Sequence, residues 1–289
     1  WDFEDVRDFY THLLFDVDPM LVRYSDPARA LDLGRAAVAC VMANTFAEWR
    51  RGGSTCAGGL VLALRDLIPG AGWGLVDSLG RPKSVYYALS RVLAPVAITI
   101  TDEGLDGLAI HVSNDPPLDL SGELTAQVID RRGRVLIEAA TTLTVDGNTS
   151  TTLSLDSVIG SFRDVNHAYR FGPQVYDAVR VTLTTGSGPI STTHLLAAPW
   201  RAGQRDVALS ATARPAAQDR WSVEVSADQL AEWVALDVPG MTVSDSWFHL
   251  FPGETRIVEV IANTPNKRFA GTVRALNALS DAPIVVESS

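Results

Sequence analysis

"GWGLVDSLGRPKSVYYALSRVLAP", residues 72–95, marks the point where the character of this chain changes. It reads as a loop, a tight Gly-Arg-Pro turn and an amphipathic helix stopped at Pro95. Before it, apolar residues recur at helical spacing or in one unbroken run. After it they alternate. Whether the stretch opens a small mixed fold or closes a larger one decides the architecture.

Working toward the N-terminus, Leu60-Val61-Leu62-Ala63-Leu64 is an unbroken apolar run between Gly58-Gly59 and Arg65-Asp66. Lack of polar alternation suits a strand buried on both faces, as in a parallel sheet. Such a strand needs parallel neighbours, and the sequence offers none, which points to an incomplete fold. Further back, Asp26-Pro27 predicts a helix start: the carboxylate caps free N–H groups and proline loses no needed donor there. Leu31, Val38, Val41, Met42, Phe46 and Trp49 follow as one apolar stripe, and Arg50-Arg51 and Gly52-Gly53 end the helix. A second helix from about Pro82 is expected to bury Val85, Tyr86, Leu89 and Leu93.

Toward the C-terminus the period becomes two. "GLAIHVSN", "GELTAQVID", "STTLSLD" and "DAVRVTLTT" alternate as half-buried antiparallel strands do, with turn signals at Asp130-Arg-Arg-Gly133, Asp146-Gly147 and Gly186-Ser-Gly188. A polar stretch, "APWRAGQRD" (198–206), separates these from "VALSATAR", "RWSVEVS", "TRIVEVIAN" and "GTVRALNAL". The expected division is 1–94, helices with one strand; 95–200, a β-sandwich; and 201–289, a second sandwich.

Composition narrows the function. The net charge of −10 leaves no basic face for phosphates, so neither nucleic acid nor an anionic membrane is an expected partner. No apolar run approaches the roughly 20 residues that span a bilayer. The acidic N-terminus, starting at Trp1 as a trimmed or processed piece would, shows no signal-peptide pattern, which favours a cytoplasmic over a secreted protein. Cys40 and Cys56 lack ligand spacing, the five histidines are scattered, and no phosphate loop, dinucleotide fingerprint or nucleophile elbow occurs. No metal or cofactor is expected.

The stretch 58–96, "GGLVLALRDLIPGAGWGLVDSLGRPKSVYYALSRVLAPV", resembles the last barrel strand and helix of β-mannosidases in glycoside hydrolase family two. It keeps Asp66, Pro69, Trp73, Val76, Asp77, Gly80, Arg81, Pro82, Lys83, Tyr86 and Tyr87 in the family's order. "VSDSWFHLFPGETRIVEV" (243–260) is similar to the family's C-terminal immunoglobulin-like domain. "WDFEDVRDFYTHLLFDVDP" resembles the segment before the final barrel helices in actinobacterial-type members. The resemblance implies an α+β multidomain chain: the C-terminal end of a (β/α)8 barrel, helices plus last strand, followed by two immunoglobulin-like β-sandwiches.

It also implies a retaining glycosidase, which needs two carboxylic acids about 5–5.5 Å apart. The family carries these glutamates in Asn-Glu and Ser-Glu-aromatic-Gly contexts, and neither occurs in this sequence. The catalytic pair is therefore expected upstream of Trp1, and this chain alone is expected to be inactive. Arg65, Asp66 and Trp73 are the candidate substrate-binding residues. Asp66 follows the expected barrel strand on the face where barrels carry their sites, and either touches a sugar hydroxyl or caps the next loop. Trp73 either lines the substrate or joins the core. At three family positions the chain departs: Leu62 and Ile68 replace tryptophans and Arg65 an asparagine, which removes stacking surface for a sugar. The expected partners are a β-mannoside in the intact enzyme and the upstream part of the barrel. The alternative is a non-catalytic sandwich module binding carbohydrate or a protein, for which Trp221, Trp233 and Trp247 would form an exposed platform.

Overall fold

The computed structural model describes residues 2–56 and 58–287. Trp1, behind which the catalytic pair is expected, lies outside them. Two compact units emerge, one made of residues 1–40, 62–88 and 199–289, the other of 41–61 and 89–198.

The helix expected from Asp26-Pro27 begins at that cap, and two shorter helices before it are capped by aspartates as well. In α1 (Phe3–Phe15) the Asp2 carboxylate accepts from the N–H groups of Glu4 and Asp5, and Asp5 answers by accepting from Asp2 N–H. Asp18 caps α2 (Pro19–Ser25), which starts on a proline. Asp26 caps α3 (Pro27–Arg50) through Arg29 N–H at 3.0 Å. The buried face of α3 is not the expected stripe, however. Leu33, Ala36, Ala37, Ala39, Phe46 and Ala47 are buried, whereas Leu31 and Trp49 are exposed. Small side chains let neighbouring backbone approach closely, so they occupy the packed face and leave larger ones outside. In α4 (Ser84–Val92) Val85, Tyr87, Ala88 and Leu89 are buried; Tyr86 and Leu93, both expected inside, are exposed.

The barrel strand expected at Leu60–Leu64 is not formed. Leu60, Leu62 and Leu64 are 101, 77 and 66% exposed, and Ala63 has a left-handed φ of 66°, outside the extended β region. Among the described residues the nearest ladder contact is one parallel bridge, Arg65 to Val76. The reason is physical: a parallel strand is defined by hydrogen bonds to flanking strands, and among the described residues no strand flanks this run to supply them.

Within 89–198, seven strands form two antiparallel sheets. They are β1 (Val96–Asp102), β2 (Leu108–Asn114), β3 (Leu120–Ile129), β4 (Val135–Val145), β5 (Thr149–Ser154), β6 (Ala178–Thr185) and β7 (Gly188–Leu195). One sheet runs β1-β2-β5 and the other β4-β3-β6-β7. Ile98, Ile110 and Val112 from the first and Leu124, Val128 and Val181 from the second share one core. The short α5 (Leu155–Ile159) adds Leu155 and Val158 to it. The β3–β4 turn closes on Asp130, whose carboxylate accepts from Arg132 and Arg134 N–H and pairs with the Arg134 guanidinium.

The C-terminal strands are β8 (Leu209–Ala217), β9 (Arg220–Ala227), β10 (Ala231–Asp237), β11 (Met241–Val243), β12 (Phe248–Leu250), β13 (Thr255–Ala262), β14 (Thr272–Arg274) and β15 (Ala282–Val286). Their hydrogen-bonded order is β11-β13-β9-β8-β15-β14-β10-β12, antiparallel except for the β8–β15 pair. Buried Ala213, Val223, Val225, Val258, Val260 and Val273 form the core. Strand β10, absent from the expected set, is buried from Ala231 to Leu236 and so lacks the alternation that marks a half-buried strand. Helix α3 is tied to the same unit: Asp32 pairs with Arg274 at 2.9 Å, and the Arg29 guanidinium donates to the carbonyls of Leu276 and Ala202. Among the described residues no helix is long and apolar enough to cross a membrane.

Candidate functional site

Residues 64–83 form a clasp closed by its own hydrogen bonds. Val76 N–H donates to Leu64 carbonyl at 2.9 Å, Asp66 N–H to Val76 at 3.0 Å, and Lys83 N–H to Leu75 at 2.9 Å. At the outer turn Asp77 accepts from Leu79 and Arg81 N–H and pairs with the Arg81 guanidinium at 2.7 Å. The Gly-Arg-Pro punctuation thus has a local cause: Gly80 adopts a φ of 84°, and the Asp77 carboxylate holds the turn around it.

Asp66 sits at the centre with its side chain only 9% exposed. Its Oδ1 accepts from Gly74 N–H at 2.8 Å, and its Oδ2 is paired with the Lys83 ammonium. Lys83 holds the carboxyl below the usual carboxylate range, assisted by the Gly74 hydrogen bond and opposed by burial. Lys83 Nζ also donates to Gly72 carbonyl at 3.1 Å. Both flanking glycines are required by space, since a Cβ on Gly72 would lie 2.4 Å from Asp66 Oδ1 and one on Gly74 2.6 Å from Asp66 N.

The three candidate residues therefore have different situations. Asp66 is engaged on both oxygens. Arg65 is exposed and donates from Nη2 to Ser78 carbonyl at 2.5 Å, bracing the outer turn. Trp73, held between the two pinned glycines, is 52% exposed, with its ring 4.6 Å from that of Phe3. Leu62 and Ile68, at the positions where the family has tryptophan, are exposed at 77 and 74%. Lys83 was legible only as part of a motif; its role as the partner of Asp66 depends on a turn that folds residue 83 back over residue 66.

Two further polar clusters lie elsewhere. In the unit containing 89–198, buried His111 is hydrogen-bonded to Thr101 Oγ1 at 2.8 Å and Thr152 Oγ1 at 2.9 Å. Thr101 donates to Glu103, which pairs with Arg51 at 2.6 Å, and Arg51 also pairs with Glu48. Because Thr101 gives its proton to Glu103, it must accept from His111 Nε2–H, leaving Nδ1 to accept from Thr152. In the C-terminal strands, Glu232 and Arg201 form a pair at 2.6 Å with both side chains 4% exposed. The tryptophan platform does not form: Trp233 and Trp247 are buried, the first edge-on to His249, and Trp221 packs on Phe269.

Residues 205–279 match the Ig-fold domain of the Ig_mannosidase family. Beta-mannosidase B of Aspergillus niger is 39% identical over 82 residues, which are 27% of this chain and 10% of that protein. The β-D-mannosidase of Dictyoglomus thermophilum superposes on 94% of this chain with a TM-score of 0.76 at 14% identity, using 32% of its own length. The exo-chitosanase of Amycolatopsis orientalis superposes on 90% with a TM-score of 0.63 at 15% identity, using 35% of its length. The two structures speak to the fold, and this chain spans about a third of each. The chain thus resembles the C-terminal part of a glycoside hydrolase family two β-mannosidase.

Proposed function

We propose that this chain is the C-terminal part of a β-mannosidase-type retaining glycoside hydrolase, acting on terminal β-mannosyl residues through two glutamates that lie outside it. In that reading residues 1–94 supply the closing strand and helices of a barrel, the clasp forms part of the active-site rim, and the sandwiches brace the barrel. The observation that carries it is the bare run Leu60–Leu64: five apolar residues fully furnished for a buried strand, ending at a clasp and a helix that together keep eleven family residues in order. Exposed leucines at this density are an unstable arrangement in water unless something covers them. Double displacement needs a nucleophile and an acid/base about 5–5.5 Å apart; in this chain Glu48 and Glu103 are committed to Arg51, and Glu232 to Arg201.

The test is hydrolysis of a chromogenic β-mannoside by this chain and by the polypeptide extended upstream. Activity only in the extended form is expected. Turnover by the 289-residue chain alone would overturn the assignment.

One observation favours the alternative, a carbohydrate-binding sandwich. The loop after α5 exposes Phe162, Tyr169 and Phe171, the last at 105%, on a frame held by Asp164, which accepts from Ala168 and Tyr169 N–H. Retardation of this chain in a mannan-containing gel, lost in F162A/F171A, would favour that module.

A further inference from the structure

We infer that Lys83 and Asp66 are positioning residues, which fix Gly72-Trp73-Gly74 so that the Trp73 indole is the stacking surface offered to the apolar face of a pyranose. The inference rests on the glycosidase reading above and names the sugar-contacting group of its rim. It reassigns Asp66, since a carboxylate that is 9% exposed, with one oxygen on Gly74 N–H and the other paired with the Lys83 ammonium, is enclosed in the clasp.

Trp73 is held on both sides. Ahead of it, Gly72 is fastened through its carbonyl to Lys83 Nζ; behind it, Gly74 is fastened through its N–H to Asp66 Oδ1. Lys83 and Asp66 are joined to each other, so the two anchors form one closed circuit with the tripeptide across its mouth. The glycines on either side leave no room for a Cβ, so the backbone cannot shift toward the carboxylate. What remains outside the circuit is the indole, half exposed and steadied on one side by Phe3. An aromatic ring held rigidly with a free face is the arrangement that binds a sugar's C–H surface at small entropic cost, and such rings depend on the hydrogen bonds behind them. Arg65 serves the same frame from outside by donating to Ser78 carbonyl.

The experiment titrates the 289-residue chain with methyl β-D-mannopyranoside, following the share of tryptophan emission that is absent in W73F. In wild type this share is expected to change saturably. In K83M the half-saturating concentration should rise about 10-fold or more, because a displaced contact of this kind is worth that much. K83R, which keeps a cation, should restore binding to within about threefold of wild type by the same reasoning. D66N removes the ion pair while keeping an acceptor for Gly74, and carries the same expectation as K83M; it decides the matter if K83M does not fold. A wild-type response that K83M and D66N share unchanged overturns the positioning role and leaves the glycosidase reading standing. A wild type whose Trp73 emission does not respond overturns the stacking role of Trp73, while the glycosidase reading stands or falls on the hydrolysis test above.

Discussion

Replacing Arg201 by methionine leaves Glu232 with its carboxylate among buried groups and its nearest cation gone. The pair is 2.6 Å apart with both side chains 4% exposed, and the surrounding backbone is committed: Glu232 N–H donates to Asn277 Oδ1, and Leu276 N–H to Glu232 carbonyl. Breaking a buried pair from one side typically costs about 3–5 kcal/mol, because the remaining charge has lost its solvation and its partner. Arg205, 3.9 Å from Glu232, offsets part of this, which places R201M toward the lower end. At about 2–4 °C per kcal/mol for a unit of this size, the unfolding midpoint should fall by roughly 6–12 °C. Urea denaturation followed by tryptophan fluorescence measures it directly, since Trp233 is buried in the same strand as Glu232. R201M/E232M, apolar on both sides, should recover most of the loss, as replacing a whole buried pair is often neutral. If R201M costs under about 1 kcal/mol, or the double variant is as damaged as the sum of the singles, the pair is not the desolvated unit described here. A corollary concerns domain boundaries: a fragment cut at residue 205, where the Ig-fold match begins, loses Arg201 and should be less stable than one starting at 199.

Other expectations follow from the same geometry. G74A places a Cβ 2.6 Å from Asp66 N and should destabilise the clasp by about 1–3 kcal/mol, read as a lower urea midpoint together with altered Trp73 emission. His111 is held below its ordinary value of 6.5, mainly by burial and then by Arg51, against the opposing pull of Glu103 and Glu48. An imidazole of lowered folded pKa contributes stability that is whole above 6.5 and lost as pH falls from there through the lowered value. Urea midpoints between about pH 8 and about pH 5 should show that loss in wild type and a flatter profile in H111Q; identical profiles would remove His111 as the cause. The bare leucines should drive concentration-dependent association, and L60S/L62S/L64S should move the sedimentation profile toward monomer. A wild type that is monodisperse at every concentration would show that the run is covered in solution.

Much of the fold was legible in the residues. The start of α3 lies one residue after Asp26, whose carboxylate meets a free N–H of the first turn, and such caps act over three residues. Alternation located β2, β3, β6, β9 and β13, because a strand with one wet face writes its orientation into consecutive residues. Strand β10 escaped because both its faces are buried, so Glu232 reads as a break in an apolar run when it is an internal ion-pair partner. The face of α3 was misread for a related reason. Leu31 and Trp49 look like core by type, but the packed side is the one where Ala36, Ala37 and Ala39 admit close approach.

The candidate site divides along the same line. From the sequence alone came the Gly80-Arg81-Pro82 turn and the order of the family residues; the choice of Arg65, Asp66 and Trp73 is what that resemblance implies. Which of these are enclosed and which stay exposed was decided by tertiary structure, where the chain folds Lys83 back onto Asp66 and leaves Trp73 outside. Leu60–Leu64 shows the limit from the other side. Its composition specifies a strand buried on both faces, yet a strand exists only where neighbours supply its hydrogen bonds and cover its side chains. Local preference is a property of residues; burial and pairing are properties of what surrounds them.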